Sequence, residues 1–63
     1  MKIEMGKYYN IRGEYGIVYT VHVIGKSFIP LRYLCTWINI SENGSEYISS
    51  GYKWSWRFIA EVQ

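Results

Sequence analysis

Ile38-Asn39-Ile40-Ser41-Glu42-Asn43-Gly44-Ser45-Glu46-Tyr47-Ile48 is the stretch that decides the fold. Asn43-Gly44 tolerates the positive φ that both central positions of a type I′ turn require, and apolar residues flank it on both sides. The pair therefore predicts a β-hairpin with a two-residue loop. That loop sets Glu42 opposite Ser45 and Ile40 opposite Tyr47. Ile38, Ile40 and Tyr47 are then expected on one face and Trp37, Asn39 and Ile48 on the other, and a slip of one residue would exchange those faces.

Working outward, Leu31 to Ile40 reads as one long strand entering the hairpin. Upstream, Ile17 to Ile24 is almost wholly β-branched or aromatic and reads as a central strand, with Ile17, Tyr19, Val21 and Val23 on one side and Val18, Thr20, His22 and Ile24 on the other. Gly25 to Pro30 is a connector, because Pro30 has no N–H for a ladder and biases Ile29 to an extended conformation. Lys7 to Arg12 alternates as a half-buried strand, Tyr9 and Ile11 facing one way and Tyr8, Asn10 and Arg12 the other. Downstream, Tyr52-Lys53-Trp54-Ser55 is expected to turn. Trp56 to Val62 is expected to close the domain with Trp56, Phe58, Ala60 and Val62 inward and Arg57 and Glu61 outside.

No segment holds a helical period over the dozen or so residues a stable helix needs. The expected fold is all-β: residues 1–63 form a single small five-stranded, strongly bent antiparallel sheet or a partly open barrel. The order of a first strand, a loop, two long strands, an Asn-Gly hairpin, a one-turn connector and a short last strand resembles an SH3-like barrel from Gly6 to Val62. The tyrosine-plus-proline pattern of the proline-peptide-binding SH3 domains is absent.

The chain has 63 residues, which limits it to one core and excludes two-domain enzymes, dinucleotide folds and TIM barrels. Its single cysteine, Cys35, cannot form an internal disulfide, and with the lone His22 it cannot complete a four-ligand zinc site. Packing must supply the stability, and twelve aromatic residues are available for it, more than so small an interior encloses. Several are therefore expected on the surface, where grouped rings point to a partner or to self-association. The net charge of +2 comes from scattered cations and permits nucleic acid without arguing for it. No apolar run is long enough to span a bilayer and no apolar segment follows Met1-Lys2 as in a signal peptide, so no membrane partner is expected. The unpaired cysteine fits a reducing, cytoplasmic setting, and the sequons Asn39-Ile40-Ser41 and Asn43-Gly44-Ser45 then read as accidents of polar turns.

Chemistry-bearing residues are sparse: one His, one Cys, five Glu and no Asp. Catalytic sites converge an acid, base or nucleophile with an orienting group, so no catalytic, cofactor or metal residue is assigned. A Cys35–His22 contact across adjacent strands could activate the thiol, but a buried, inert cysteine is the commoner situation. Gly13-Glu14-Tyr15-Gly16 lies between strands with no following helix to bind phosphate and is read as a turn.

Tyr52-Lys53-Trp54-Ser55-Trp56-Arg57 carries the best interface signal, since Trp and Arg combine large area with a polar handle. Trp54 is expected as a surface anchor and Trp56 as core. First and last strands of small barrels are commonly neighbours, which adds Tyr8, Arg12 and Tyr15 to Lys53, Trp54 and Arg57 as the candidate partner-binding set. The competing reading is that these rings simply pack beneath a short loop. The expected function is a non-enzymatic protein-interaction module, similar in size to the small accessory or inhibitory proteins of phages and mobile elements, that binds a larger protein through its aromatic-rich surface. The alternatives are a small barrel that binds single-stranded DNA or RNA and a structural homo-oligomer or homodimer satisfying an exposed strand edge.

Overall fold

The β-branched and aromatic stretches become strands in the computed structural model, which describes residues 1–63. In chain order these are β1 (Tyr8–Arg12), β2 (Val18–Lys26), β3 (Arg32–Ile40), β4 (Glu46–Trp54) and β5 (Phe58–Glu61). Glu14–Gly16 and Ser55–Arg57 form single 3-10 turns. All neighbours are antiparallel in one five-stranded sheet of order β4-β3-β2-β1-β5, which does not close. No helix is long and apolar enough to cross a membrane.

The alternation in the first half of the chain fixes which face is the core. Tyr9 pairs with Val21, Ile11 with Tyr19 and Val23 with Cys35, so one face collects them. Tyr9, Ile11, Val21, Val23 and Cys35 are fully buried, Ile3 and Phe58 nearly so, and Tyr19, Tyr33 and Trp37 pack against this cluster. Among the twelve aromatics only Tyr9 and Phe58 are buried, while Phe28 and Tyr15 are almost wholly exposed. The Tyr9 ring meets Phe58 edge-on, 5.4 Å between centroids. Its hydroxyl accepts a hydrogen bond from the Glu4 N–H at 2.8 Å and donates to the Lys2 carbonyl at 3.3 Å, which ties the N-terminal segment across the core.

The hairpin differs from its expected register by one residue. Ile40 lies opposite Glu46, Ile38 opposite Ile48, Asn39 opposite Tyr47 and Trp37 opposite Ser49. Ile38, Ile40 and Ile48 therefore share the outer face, and Trp37, Asn39 and Tyr47 the inner one. The reason is local. Gly44 is left-handed at φ 88° but Asn43 is not, so the type I′ turn does not form. Gly44 N–H donates to the Ser41 carbonyl at 2.9 Å and Ser41 N–H to the Ser45 carbonyl at 2.8 Å, closing a three-residue loop. The Asn43 side-chain oxygen accepts from the Ser41 hydroxyl and from the Ser45 N–H, an arrangement that favours the three-residue loop over the two-residue one.

The end of the chain is also corrected. β4 continues through Tyr52-Lys53-Trp54, and the turn falls at Ser55–Arg57. That turn interrupts the alternation before Phe58, so Trp56 is not core but 65% exposed. A bulge against β1 then shifts the phase again, placing Ala60 opposite Asn10 on the outer face and leaving Phe58 as the one buried member of the expected inward set.

Candidate functional site

Gly13 opens the loop between β1 and β2, its N–H donating to the Ile17 carbonyl at 2.7 Å. A side chain there would force the ring or the loop to shift, because a Cβ would stand 2.7 Å from Cε1 of Tyr19. Across the sheet the contact at Gly51 is milder: a Cβ there would stand 3.3 Å from Cη2 of Trp37, close but relieved by a small shift of the ring. At these two glycines two rings approach the backbone on the inner face, tilted to each other with centroids 5.9 Å apart. Lys53, also on that face, holds its ammonium 4.2 Å from the Trp37 centroid and 5.6 Å from that of Tyr19, within cation–π range of both.

These rings belong to a cleft of about 610 Å³ between the Gly13–Ile17 loop and the end of β4, whose lining includes Arg12, Glu14, Trp54 and Arg57. The ion pairs of the molecule are Lys7 with Glu4 at 3.0 Å and Lys7 with Glu61 at 3.7 Å. Arg12, Lys53 and Arg57 thus reach the cleft without a carboxylate partner.

Four of the six residues singled out from the sequence, Arg12, Lys53, Trp54 and Arg57, line this one cleft. Tyr8 does not: it stands on the outer face, stacked on His22 at 4.3 Å and 10° between planes, with the His22 Nε2 3.2 Å from the Gly6 carbonyl oxygen. Tyr15 stands apart at the tip of the loop, 95% exposed with φ 63°. Trp54 is half-buried and stacked on Trp56 at 4.6 Å and 12°.

Sequence reasoning missed Tyr19 and Trp37 as cleft residues and Arg32 as the neighbour of Trp54. The Arg32 guanidinium lies 5.0 Å from the Tyr52 centroid and 5.1 Å from that of Trp54, so Arg32, Trp54 and Trp56 make a continuous stack. Its Nε is buried without a hydrogen-bond partner. The pairing of Arg32 with Trp54 is the signal that would have found it, and it becomes readable only once the β3–β4 register is known.

Cys35 and His22 fall on opposite faces of the sheet, because His22 pairs with Thr36 and Val23 with Cys35. Burial pushes the Cys35 thiol up to about 11, away from the reactive thiolate. No three His, Cys, Asp or Glu side chains gather as a metal site. What the cleft offers chemically is recognition: flat rings, unneutralised cations and a groove. Comparison of this chain with protein-family models, curated proteins and solved structures finds no match.

Proposed function

We propose that this chain is a non-enzymatic protein-interaction module, an SH3-like small barrel that grips an extended, acidic segment of a larger protein in the cleft between the Gly13–Ile17 loop and β4. The observation that carries the reading is the set of cations, Arg12, Lys53 and Arg57, unpaired within the chain and placed beside Tyr19, Trp37 and Trp54. Charged groups without internal partners favour an oppositely charged ligand and steer its approach, and the rings beside Gly13 and Gly51 supply apolar area. The strand order, with a 3-10 turn between β4 and β5, supports the barrel assignment. The buried free thiol of Cys35 supports a cytoplasmic setting.

Single-stranded nucleic acid is the second reading, favoured by one observation: Trp56 exposes its indole at the end of the Arg32–Trp54 stack, where a base could continue it. Intrinsic tryptophan fluorescence separates the two. The protein is titrated with an extended Glu-rich peptide and with mixed-sequence single-stranded DNA and RNA, at low and moderate salt. Saturable binding of the peptide, weakened about thirtyfold or more by Trp54→Ala and by Arg57→Ala, supports the protein-binding reading. Saturable, salt-weakened quenching by nucleic acid alone replaces it with the second reading, and no response to either ligand sinks both.

A further inference from the structure

The two edges of the sheet are built differently. β5 is a four-residue edge broken by a bulge, with the Lys7–Glu61 ion pair beside it, which are devices that discourage a further strand. β4 is nine residues long, regular in register along its whole length, and has neither proline nor bulge. Its one lysine, Lys53, is drawn onto Trp37 on the inner face and does not guard the edge. The exposed isoleucines Ile38, Ile40 and Ile48 lie beside this edge on the outer face.

The hydrogen-bond phase of β4 follows from the two ends of its ladder. Ser41 N–H donates to the Ser45 carbonyl and Ser55 N–H to the Leu31 carbonyl. In an antiparallel pair, hydrogen-bonded and non-bonded positions alternate. Tyr47, Ser49, Gly51 and Lys53 therefore turn their backbone groups toward β3, and Glu46, Ile48, Ser50, Tyr52 and Trp54 turn theirs to the open edge.

We propose that this edge pairs with a second copy of the chain, β4 antiparallel to β4 about a two-fold axis at Ser50. This is the centred register, and it places all five outward-facing residues in hydrogen-bonded positions: Ser50 against Ser50, Ile48 against Tyr52, and Glu46 against Trp54 of the other copy. The same reading of the strand against its reverse is complementary in chemistry. Small residues, Ser49, Ser50 and Gly51, meet at the centre. Tyr47 meets Lys53 on the inner face. At each end Glu46 comes opposite Trp54, on the strand next to Arg32, a guanidinium with no carboxylate partner in the single chain. Acidic at one end and basic at the other, the strand complements its own reverse, as an isologous interface requires. Two five-stranded sheets then become one continuous sheet. The pairing stands on the free edge alone and needs no ligand in the cleft.

Sedimentation equilibrium from micromolar to millimolar protein, joined to amide hydrogen exchange resolved by residue, tests the pairing. The expected mass rises with concentration to twice the 7.5 kDa of the chain. The Ile48, Ser50 and Tyr52 amides slow as it does, while those of Tyr47, Ser49 and Gly51 are protected at every concentration. Ser50→Pro removes an N–H that β3 does not use and weakens the dimer on the order of a hundredfold, through two lost hydrogen bonds at the axis. If that variant fails to fold, Ser50→Lys sets two ammonium groups facing each other on the exposed face and weakens the dimer severalfold. A monomer at all concentrations, a dimer whose Ile48, Ser50 and Tyr52 amides exchange freely, or a dimer that a folded Ser50 variant leaves undiminished would each overturn the proposal.

Discussion

Removing the hydroxyl of Tyr9 tests how the core is tied to the start of the chain. Tyr9→Phe keeps the ring, its complete burial and its edge-on contact with Phe58. It deletes the oxygen that accepts from Glu4 N–H at 2.8 Å and donates to the Lys2 carbonyl at 3.3 Å. The first bond has good geometry and the second is long. With a typical net value of about 1 kcal/mol for a good bond and a fraction of that for a long one, the loss comes to roughly 1–1.5 kcal/mol. In a domain of this size that lowers the melting temperature by roughly 4–12 °C. Thermal and urea denaturation followed by tryptophan fluorescence measure it directly.

A second variant separates the latch from a general packing effect. Ile3, 9% exposed, is held over the core by the same segment. Ile3→Ala loosens that segment, so adding Tyr9→Phe to it costs only a few tenths of a kcal/mol more, a coupling that a double-mutant cycle reads. Additive losses, or a Tyr9→Phe protein that melts with the wild type, would refute the reasoning. Tyr9→Leu is less informative, since cavity formation alone costs about 2–5 kcal/mol and approaches the whole stability of a small domain.

Two further outcomes are expected. Cys35 resists thiol reagents in the native protein at mildly alkaline pH and reacts at once in urea, as absorbance of a disulfide reagent will show. Because burial raises its native value from 9.0 to about 11, the unfolded chain releases that proton first, and the urea midpoint falls as pH rises across this window; a Cys35→Ala protein loses that part of the slope. Gly13→Ala drives a Cβ to within 2.7 Å of the Tyr19 ring and costs roughly 1–3 kcal/mol by urea denaturation, with a change in the Tyr19 ring signals; an unperturbed ring would show that the loop yields instead.

The first three strands were legible because their alternation is chemical as well as positional. Tyr9 and Ile11, and Val21 and Val23, stand out from Asn10, Thr20 and His22, and a two-residue period leaves them one arrangement on a core. The last two were less so. Glu46-Tyr47-Ile48-Ser49-Ser50-Gly51 has no such contrast, and the Asn43 side chain, by capping Ser41 and Ser45, moved the register one step. Trp56 failed for a related reason: a single 3-10 turn resets the phase of everything after it. The candidate site followed the same division. Arg12, Lys53, Trp54 and Arg57 were found by residue type, whereas Tyr19, Trp37 and Arg32 required knowing which strands face each other.

The pairing of β1 with β5 brings residues 9 and 61 together, with Val62 N–H donating to the Tyr8 carbonyl at 2.8 Å. Tyr9 and Phe58, which meet in the core, therefore come from the first and last strands of the sheet. Until β5 docks, β1–β4 leave the Tyr9 side of their core face open to water, and exposed apolar surface of this kind favours association. Long-range closure of this sort is slow relative to helix formation. The shortest strand of the sheet is therefore also the one whose docking closes the core over Tyr9.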